Sequence, residues 1–216
     1  MPEQYLNDLI KRYAVLQGNR EHIAEAYECM KRSFSMGKKL LIAGNGGSAS
    51  DAEHIVGELM KGFLLHRRID GQMAEKLQRI DVKKGVQLEK MLQNALPAIA
   101  LCNHNSLNTA FLNDVDGDMC FAQQVYGYGL EGDVLLAVST SGNSRNIIYA
   151  AVTAKAKGMH VIGLTGKGGG ELVSFADVLV DVEETEAYKV QELHLPIYHC
   201  LCMMLEEHFF SNTSTE

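Results

Sequence analysis

No run of apolar residues approaches the ~20 that a membrane-spanning helix requires, which excludes an integral helical membrane protein. An excess of basic residues is missing too. The 20 Lys and Arg against 27 Asp and Glu leave a formal net charge of −7. That balance argues against non-specific nucleic-acid binding, yet it permits a local basic pocket for a small phosphorylated ligand. Cysteine is sparse and odd in number: Cys29, Cys102, Cys120, Cys200 and Cys202. Scattered in this way they do not make a disulfide framework, and Cys200 and Cys202 are not a C-x-x-C metal pair. Small buried hydrophobes in a reducing cytosol are the expectation. The opening MPEQYLNDLIKRY shows no basic-then-apolar signal pattern, so a cytoplasmic location is expected. What is present is ordinary for a globular chain: 216 residues, 46% hydrophobic and 22% charged. That composition excludes a wholly disordered protein and fits a single domain with a helical appendage.

The first 36 residues form a helical arm. Leu6, Leu9, Ile10, Tyr13 and Leu16 recur at three and four, and Gly18-Asn19 breaks the pattern. A second helix follows from Arg20 to Met36, with Ile23, Ala26, Tyr27, Met30 and Phe34 on one face. The texture then changes to short apolar runs: Lys39–Ala43, Ala98–Leu101, Asp133–Val138, His160–Leu164 and Val178–Val182. Each reads as a strand buried on both faces, and helical stretches separate them. Strand–helix alternation predicts an α/β fold, a doubly wound five-stranded parallel sheet flanked by helices. Ligands of such sheets bind beyond the carboxyl ends of the strands. Residues 64–95 are a charged, helix-patterned insertion of one or two amphipathic helices. Either a solvated appendage or a substrate lid or subunit contact accounts for it. Glu186–Phe210 is a long last helix, and Ser211–Glu216 a frayed tail.

Chemistry is concentrated at the strand ends. The third run ends in Ser139-Thr140-Ser141-Gly142-Asn143-Ser144, immediately before a helical pattern. A helix N-terminus offers free N–H groups and a positive dipole end, hydroxyls add donors without bulk, and glycine permits close approach. This pattern predicts an anion site for a phosphate monoester. Helix capping in a tight turn is the plainer reading. The first run ends in Gly44-Asn45-Gly46-Gly47-Ser48, which lacks the Lys-Ser/Thr of a nucleotide P-loop. Thr165-Gly166-Lys167-Gly168-Gly169-Gly170 is a third Gly-rich turn, as consistent with a plain connection as with binding. His54 and Glu58, at i and i+4, share one helix face and make a workable half of a divalent-metal site. Gln191, His194 and His199 lie on the last helix. Gln191 and His199 are separated by about 12 Å of helical rise, so spacing alone does not assemble them with His54 and Glu58.

Taken together, Gly44-Asn-Gly-Gly-Ser48, Asp51-Ala-Glu-His54, Glu58, Ser139-Thr-Ser-Gly-Asn-Ser144, and Gln191-Glu-Leu-His-Leu with His199 resemble a known family. It is the sugar isomerase (SIS) domain family, specifically the sedoheptulose 7-phosphate (phosphoheptose) isomerases. The resemblance covers nearly the whole chain apart from the insertion. It implies a five-stranded parallel sheet, a leading helical arm and a homotetramer with active sites at subunit interfaces. It implies that Ser48, Ser139, Thr140, Ser141 and Ser144 hold the sugar phosphate. Asn45, Gly46, Gly47, Asn103 and Gln191 are the further substrate-binding candidates. It also implies a divalent metal, usually zinc, near His54, Glu58, Gln191 and His199, with Glu58 and His199 as the acid–base pair. The partners expected are a phosphorylated sugar and further copies of the chain, with no nucleic acid and no membrane.

The chain departs from that pattern at three positions. Gly62 stands where a basic residue is usual, Asn103 where Asp is usual after the second strand, and Tyr188 where Asp often precedes the glutamine. Lys61, Arg67 and Arg68 are the candidates to replace the missing charge. Two other readings compete with a heptose isomerase. One is an isomerase of a different sugar phosphate. The other is a non-catalytic phosphosugar-binding or replication-initiator-associating protein, which the intact His54, Glu58, Gln191 and His199 disfavour.

Overall fold

The computed structural model describes residues 2–211. Apart from Ser211, the tail expected at Ser211–Glu216 lies outside the described residues.

Helix α1 (Pro2–Arg12) buries Leu6 and Leu9 and ends on Lys11 and Arg12, where positive charge complements the helix dipole. The apolar spacing runs on to Leu16, but the chain leaves α-geometry at Tyr13 and continues as a 3₁₀ segment, Ala14–Asn19. The first helix is therefore shorter than its pattern. Leu16 still reaches the core because the tighter turn keeps it on the inner side. Helix α2 (Arg20–Ser35) buries the face read from sequence: Ile23, Ala26, Tyr27, Met30 and Phe34.

The five strands fall within one residue of the expected runs: β1 (Leu40–Gly44), β2 (Ala98–Ala100), β3 (Val134–Ser139), β4 (His160–Thr165) and β5 (Val178–Asp181). All pair in parallel, in the order β2-β1-β3-β4-β5. Successive side chains alternate between two apolar layers. Leu40, Ile42, Val134 and Leu136 pack against α1, α2, α3 (Gly47–Met60) and α9 (Ala187–Phe210). Leu41, Ala43, Leu135 and Ala137 pack against α7 (Cys120–Tyr128) and α8 (Arg145–Ala156). Each such fully buried Leu or Ile stabilises the fold by ~1.5–3 kcal/mol. The strand order reverses between β1 and β3, which places the topological switch point there. The two loops singled out above, 44–48 and 139–144, leave the carboxyl ends of those two neighbouring strands.

The insertion is two helices, α4 (Gly71–Ile80) and α5 (Val82–Met91). Asp70 caps the first by accepting from Met73 N–H, and Asp81 caps the second by accepting from Lys84 N–H. An antiparallel bridge between Arg68 and Gln93 closes its base. It presents Ile80, Val82 and Met91 to the outside at 86%, 71% and 73% exposure. Helix α6 (Asn105–Asp114) follows β2 and buries none of its residues fully. Among the described residues no helix is long and apolar enough to cross a membrane.

Candidate active site

The loop after β3 is built to leave a helix end open. Ser144 occupies the N-cap position of α8, yet its side chain makes no capping hydrogen bond. Its hydroxyl is instead 3.2 Å from the Ser139 hydroxyl, which donates to it. Ser141 Oγ accepts from the Asn143 backbone N–H at 3.2 Å. Helix capping, the plainer reading of this serine cluster, therefore does not account for Ser144. The first-turn N–H groups of α8 are left without a side-chain cap, and an anion is their natural partner. Gly142 sits at φ +64°, and a Cβ there would overlap the Gly169 carbonyl. Only glycine allows this approach of the two loops. Leu172 N–H donates to Gly142 O at 3.0 Å, and Glu171 N–H to Asn143 Oδ1 at 2.8 Å. The third Gly-rich turn thus braces the serine loop. Thr140 takes part through its backbone, its carbonyl accepting from Gly166 N–H at 3.0 Å.

The loop after β1 mirrors this arrangement. Gly46 is the N-cap of α3, and again no side chain caps the helix. Asn45, Gly46 and Gly47 are exposed, whereas Ser48 is buried. The Asn45 and Asn146 carboxamides exchange two hydrogen bonds of 2.9 Å, tying the start of α3 to the start of α8. Asn146 carried no signal in the sequence beyond its place in the helix. The Gln191 amide lies against Gly47, and a Cβ on that glycine would come within 2.6 Å of its Nε2. Asn103 stands exposed in the 3₁₀ turn Leu101–Asn103 at the carboxyl end of β2.

Helices α3 and α9 then bring His54 within reach of both Glu58 and His199. His54 Nε2 is 3.2 Å from Glu58 Oε1 and 3.4 Å from His199 Nε2. Burial, then the neighbouring His54, pushes the His199 imidazole below the ordinary histidine value, and Glu58 opposes that shift. The three are not closed around one centre: among the described residues no group of three or more His, Cys, Asp or Glu stands as a finished metal site. The two spacings nonetheless match the ~3.3 Å edge of a tetrahedron with ~2.0 Å bonds, and two imidazole nitrogens with a carboxylate are a zinc-type donor set. The residues fit a divalent cation. Gln191 forms no hydrogen bond to any of the three, and its observed contact is with Gly47. A cavity of about 440 Å³ between α1 and α9, lined by Tyr5, Asp8, Arg12 and Phe63, ends on His199.

His194, one turn before His199, is wholly buried, and neither ring nitrogen has a hydrogen-bond partner; the Thr165 backbone lies nearby without bonding geometry. Desolvation pushes this imidazole down to about 4. The core histidine of the last helix is thus His194, and His199 is the one that joins the cluster.

The structure also decides among the three cations considered for the missing charge. Lys61 Nζ is 3.2 Å from Glu58 Oε2 and 3.1 Å from the Gly62 carbonyl. Arg67 is unavailable: it is wholly buried and bonded to Glu206 at 2.7 Å. Arg68 is exposed on the bridge to Gln93. Gly62 itself cannot carry a side chain, since a Cβ would overlap the Leu65 carbonyl while its N–H is held by Gln93 Oε1 at 2.6 Å. Tyr188 is 57% exposed in the first turn of α9. Two residues behind His54 escaped the sequence reading, Asp51 and Tyr198. Asp51 stood in a quoted motif without a role, and Tyr198 read as apolar context for His199.

Comparison with known proteins meets this geometry. The SIS domain family model matches residues 4–93 and 83–166. A phosphoheptose isomerase from Nitratidesulfovibrio vulgaris is 36% identical over 93% of this chain and 84% of its own. The structure of a phosphoheptose isomerase from Neisseria gonorrhoeae superposes with a TM-score of 0.71 at 31% identity, covering 95% of this chain and 98% of that one. One from Francisella tularensis gives 0.73 at 30% identity, covering 95% and 96%. With the fold, the two open helix ends and the His–Glu–His cluster all in place, the chain belongs to the phosphoheptose isomerase family of SIS-domain enzymes.

Proposed function

We propose that the enzyme interconverts sedoheptulose 7-phosphate and D-glycero-D-manno-heptose 7-phosphate through an enediol, feeding activated heptose synthesis for surface polysaccharide. The observation that carries this reading is the convergence of Glu58 and His199 on His54, on a helix whose start is tied to the uncapped serine-loop helix through Asn45 and Asn146. The serine loop, through Ser139, Thr140, Ser141 and Ser144 with Ser48, holds the phosphate. Asn45, Gly46, Gly47, Asn103 and Gln191 line the approach. Anchoring the far end of the sugar delivers C1 and C2 to Glu58. The Glu58 carboxylate takes the carbon-bound proton from one carbon and returns it to the other. The His199 imidazole, kept neutral by burial, moves the proton between the two oxygens.

His54, Glu58 and His199, with Gln191, would hold a divalent cation, zinc by the donor set. When bound, it supplies polarisation of the carbonyl and stabilises negative charge on the oxygens. A homotetramer and a cytoplasmic location belong to the same proposal. The exposed apolar side chains of α4 and α5 support the first, and the five free cysteines the second.

The test is proton NMR of zinc-supplemented protein with sedoheptulose 7-phosphate in deuterated water. A new anomeric signal with deuterium at C2 of the aldose is the expected result. No change over hours at about 10 μM enzyme would move the assignment to another sugar phosphate or to a binding role. Replacing both Ser141 and Ser144 by alanine should raise KM about tenfold or more while leaving kcat within a few-fold, since the lost hydrogen bonds to a charged phosphate act on binding. Unchanged affinity for phosphorylated sugars in that variant would remove the loop from the substrate site.

A further inference from the structure

The His54 ring has two nitrogens, and the cluster accounts for only one of them. Its Nδ1 lies 3.0 Å from the Tyr198 hydroxyl. That hydroxyl donates in turn to Asp51 Oδ1 at 3.2 Å. Tyr198 is fully buried, and its ring packs edge-on against both imidazoles, with centroids 5.5 Å from His54 and 5.0 Å from His199. The second Asp51 oxygen, Oδ2, is buried without a partner. A carboxylate whose purpose was to cap or brace the fold would have both oxygens bonded. This one is dedicated to Tyr198.

We propose that Tyr198 and Asp51 are positioning residues for His54, holding its Nδ1 proton so that Nε2 faces Glu58 and His199 as a bare donor for a divalent cation. The inference rests on the cation reading above. A count of protons supports it. A phenol has one proton, and an ionised carboxylate can only accept, so the Tyr198 proton points to Asp51. The Tyr198 oxygen is then an acceptor, and Nδ1–H is what it accepts. A neutral His54 is left with its lone pair on Nε2, the atom 3.2 Å from Glu58 and 3.4 Å from His199. Without this acceptor the ring is free to carry its proton on Nε2 beside the Glu58 carboxylate, and a cation must displace it. An outer hydrogen bond of this kind typically changes metal affinity 10–100-fold. The placement has a simple origin. Asp51 and His54 lie three apart on α3 and so share a face, and Tyr198 precedes His199 on α9.

The experiment uses the full chain, freed of metal with a chelator, and zinc titrated in competition with a chromophoric chelator. Tyr198→Phe keeps the ring and removes only the hydroxyl; Asp51→Asn keeps the shape and removes the charge. Each should bind zinc about 10–100-fold more weakly than the unmodified protein. Tyr149→Phe, a hydroxyl removed from α8, should bind like the unmodified protein. Melting temperatures are recorded alongside, because a purely structural pair would lower stability and leave affinity untouched. Tight zinc binding by the unmodified protein with unchanged affinity in both variants overturns the proposal. Failure of the unmodified protein to bind zinc overturns the cation reading itself, and this inference with it. If Tyr198→Phe does not fold, the affinity of Asp51→Asn decides alone.

Discussion

Glu58→Gln is expected to lower kcat by about 10²–10⁴-fold, the usual worth of a positioned acid–base group, while sugar-phosphate affinity stays within about tenfold. The reasoning starts from the carboxylate's surroundings. His54 Nε2 meets one oxygen and Lys61 Nζ the other, each at 3.2 Å. An amide keeps only one acceptor oxygen and cannot take a proton from carbon at all. The serine loop hangs on β3 and α8, is braced by the 166–172 turn, and shares no bond with Glu58. Turnover and binding are therefore separable. Zinc content is measured on the same sample, since Glu58 is also a candidate ligand, and kcat is compared at matched loading. Near-normal turnover at equal metal content would remove Glu58 from the mechanism.

Arg67→Met should destabilise the protein by ~3–5 kcal/mol, the cost of leaving a buried charge without its partner. Arg67 and Glu206 are 0% and 1% exposed. The guanidinium donates to Glu206 at 2.7 Å, to the Leu59 carbonyl at 2.7 Å and to the Glu58 carbonyl at 2.9 Å. The Glu206 carboxylate also accepts from the N–H groups of Phe63 and Leu64 at 2.7 Å and of Leu65 at 3.2 Å. One ion pair thus closes the carboxyl end of α3, orders the 62–65 turn and pins both to α9. Removing the arginine leaves Glu206 without its counter-charge and strips one hydrogen bond from each of the Glu58 and Leu59 carbonyls, of which the Leu59 carbonyl keeps the Leu96 N–H at 3.0 Å. The measurement is urea unfolding of Arg67→Met, Glu206→Gln and the double variant. The double variant should be more stable than the sum of the singles predicts, because the uncompensated charge is gone. A loss below about 1 kcal/mol in Arg67→Met would show that the pair does not brace this corner.

Much of the fold was legible because parallel strands buried on both faces leave continuous apolar runs. Leu40–Gly44 and Val134–Ser139 lie within one residue of their expected limits for that reason. The end of α1 was not legible. Leu16 keeps helical spacing, yet the tertiary contacts are satisfied by a 3₁₀ turn, and burial constrains which side a residue faces more than how tightly the backbone winds. The serine loop was readable as a candidate anion site from residue type and its position before a helix. That Ser144 spends its hydroxyl on Ser139 instead of capping α8 was not, since capping and phosphate binding call for the same residues. The basic residues near Glu58 divided only in three dimensions: Arg67 turned inward to Glu206, while Lys61 reached Glu58.

By itself the sequence determined the α/β class, the five strands, the Gly- and Ser-rich strand ends and the i, i+4 pair of His54 and Glu58, because each depends on neighbours in the chain. Convergence was decided only by the tertiary structure. His199 lies 145 residues from His54, and Tyr198 lies 147 from Asp51. No local periodicity couples positions so far apart. They meet because the strand order reverses between β1 and β3 and because α3 and α9 cover the same face of the sheet. The shared apolar layer sets the distance between those helices, and the site is what their polar edges then have in common.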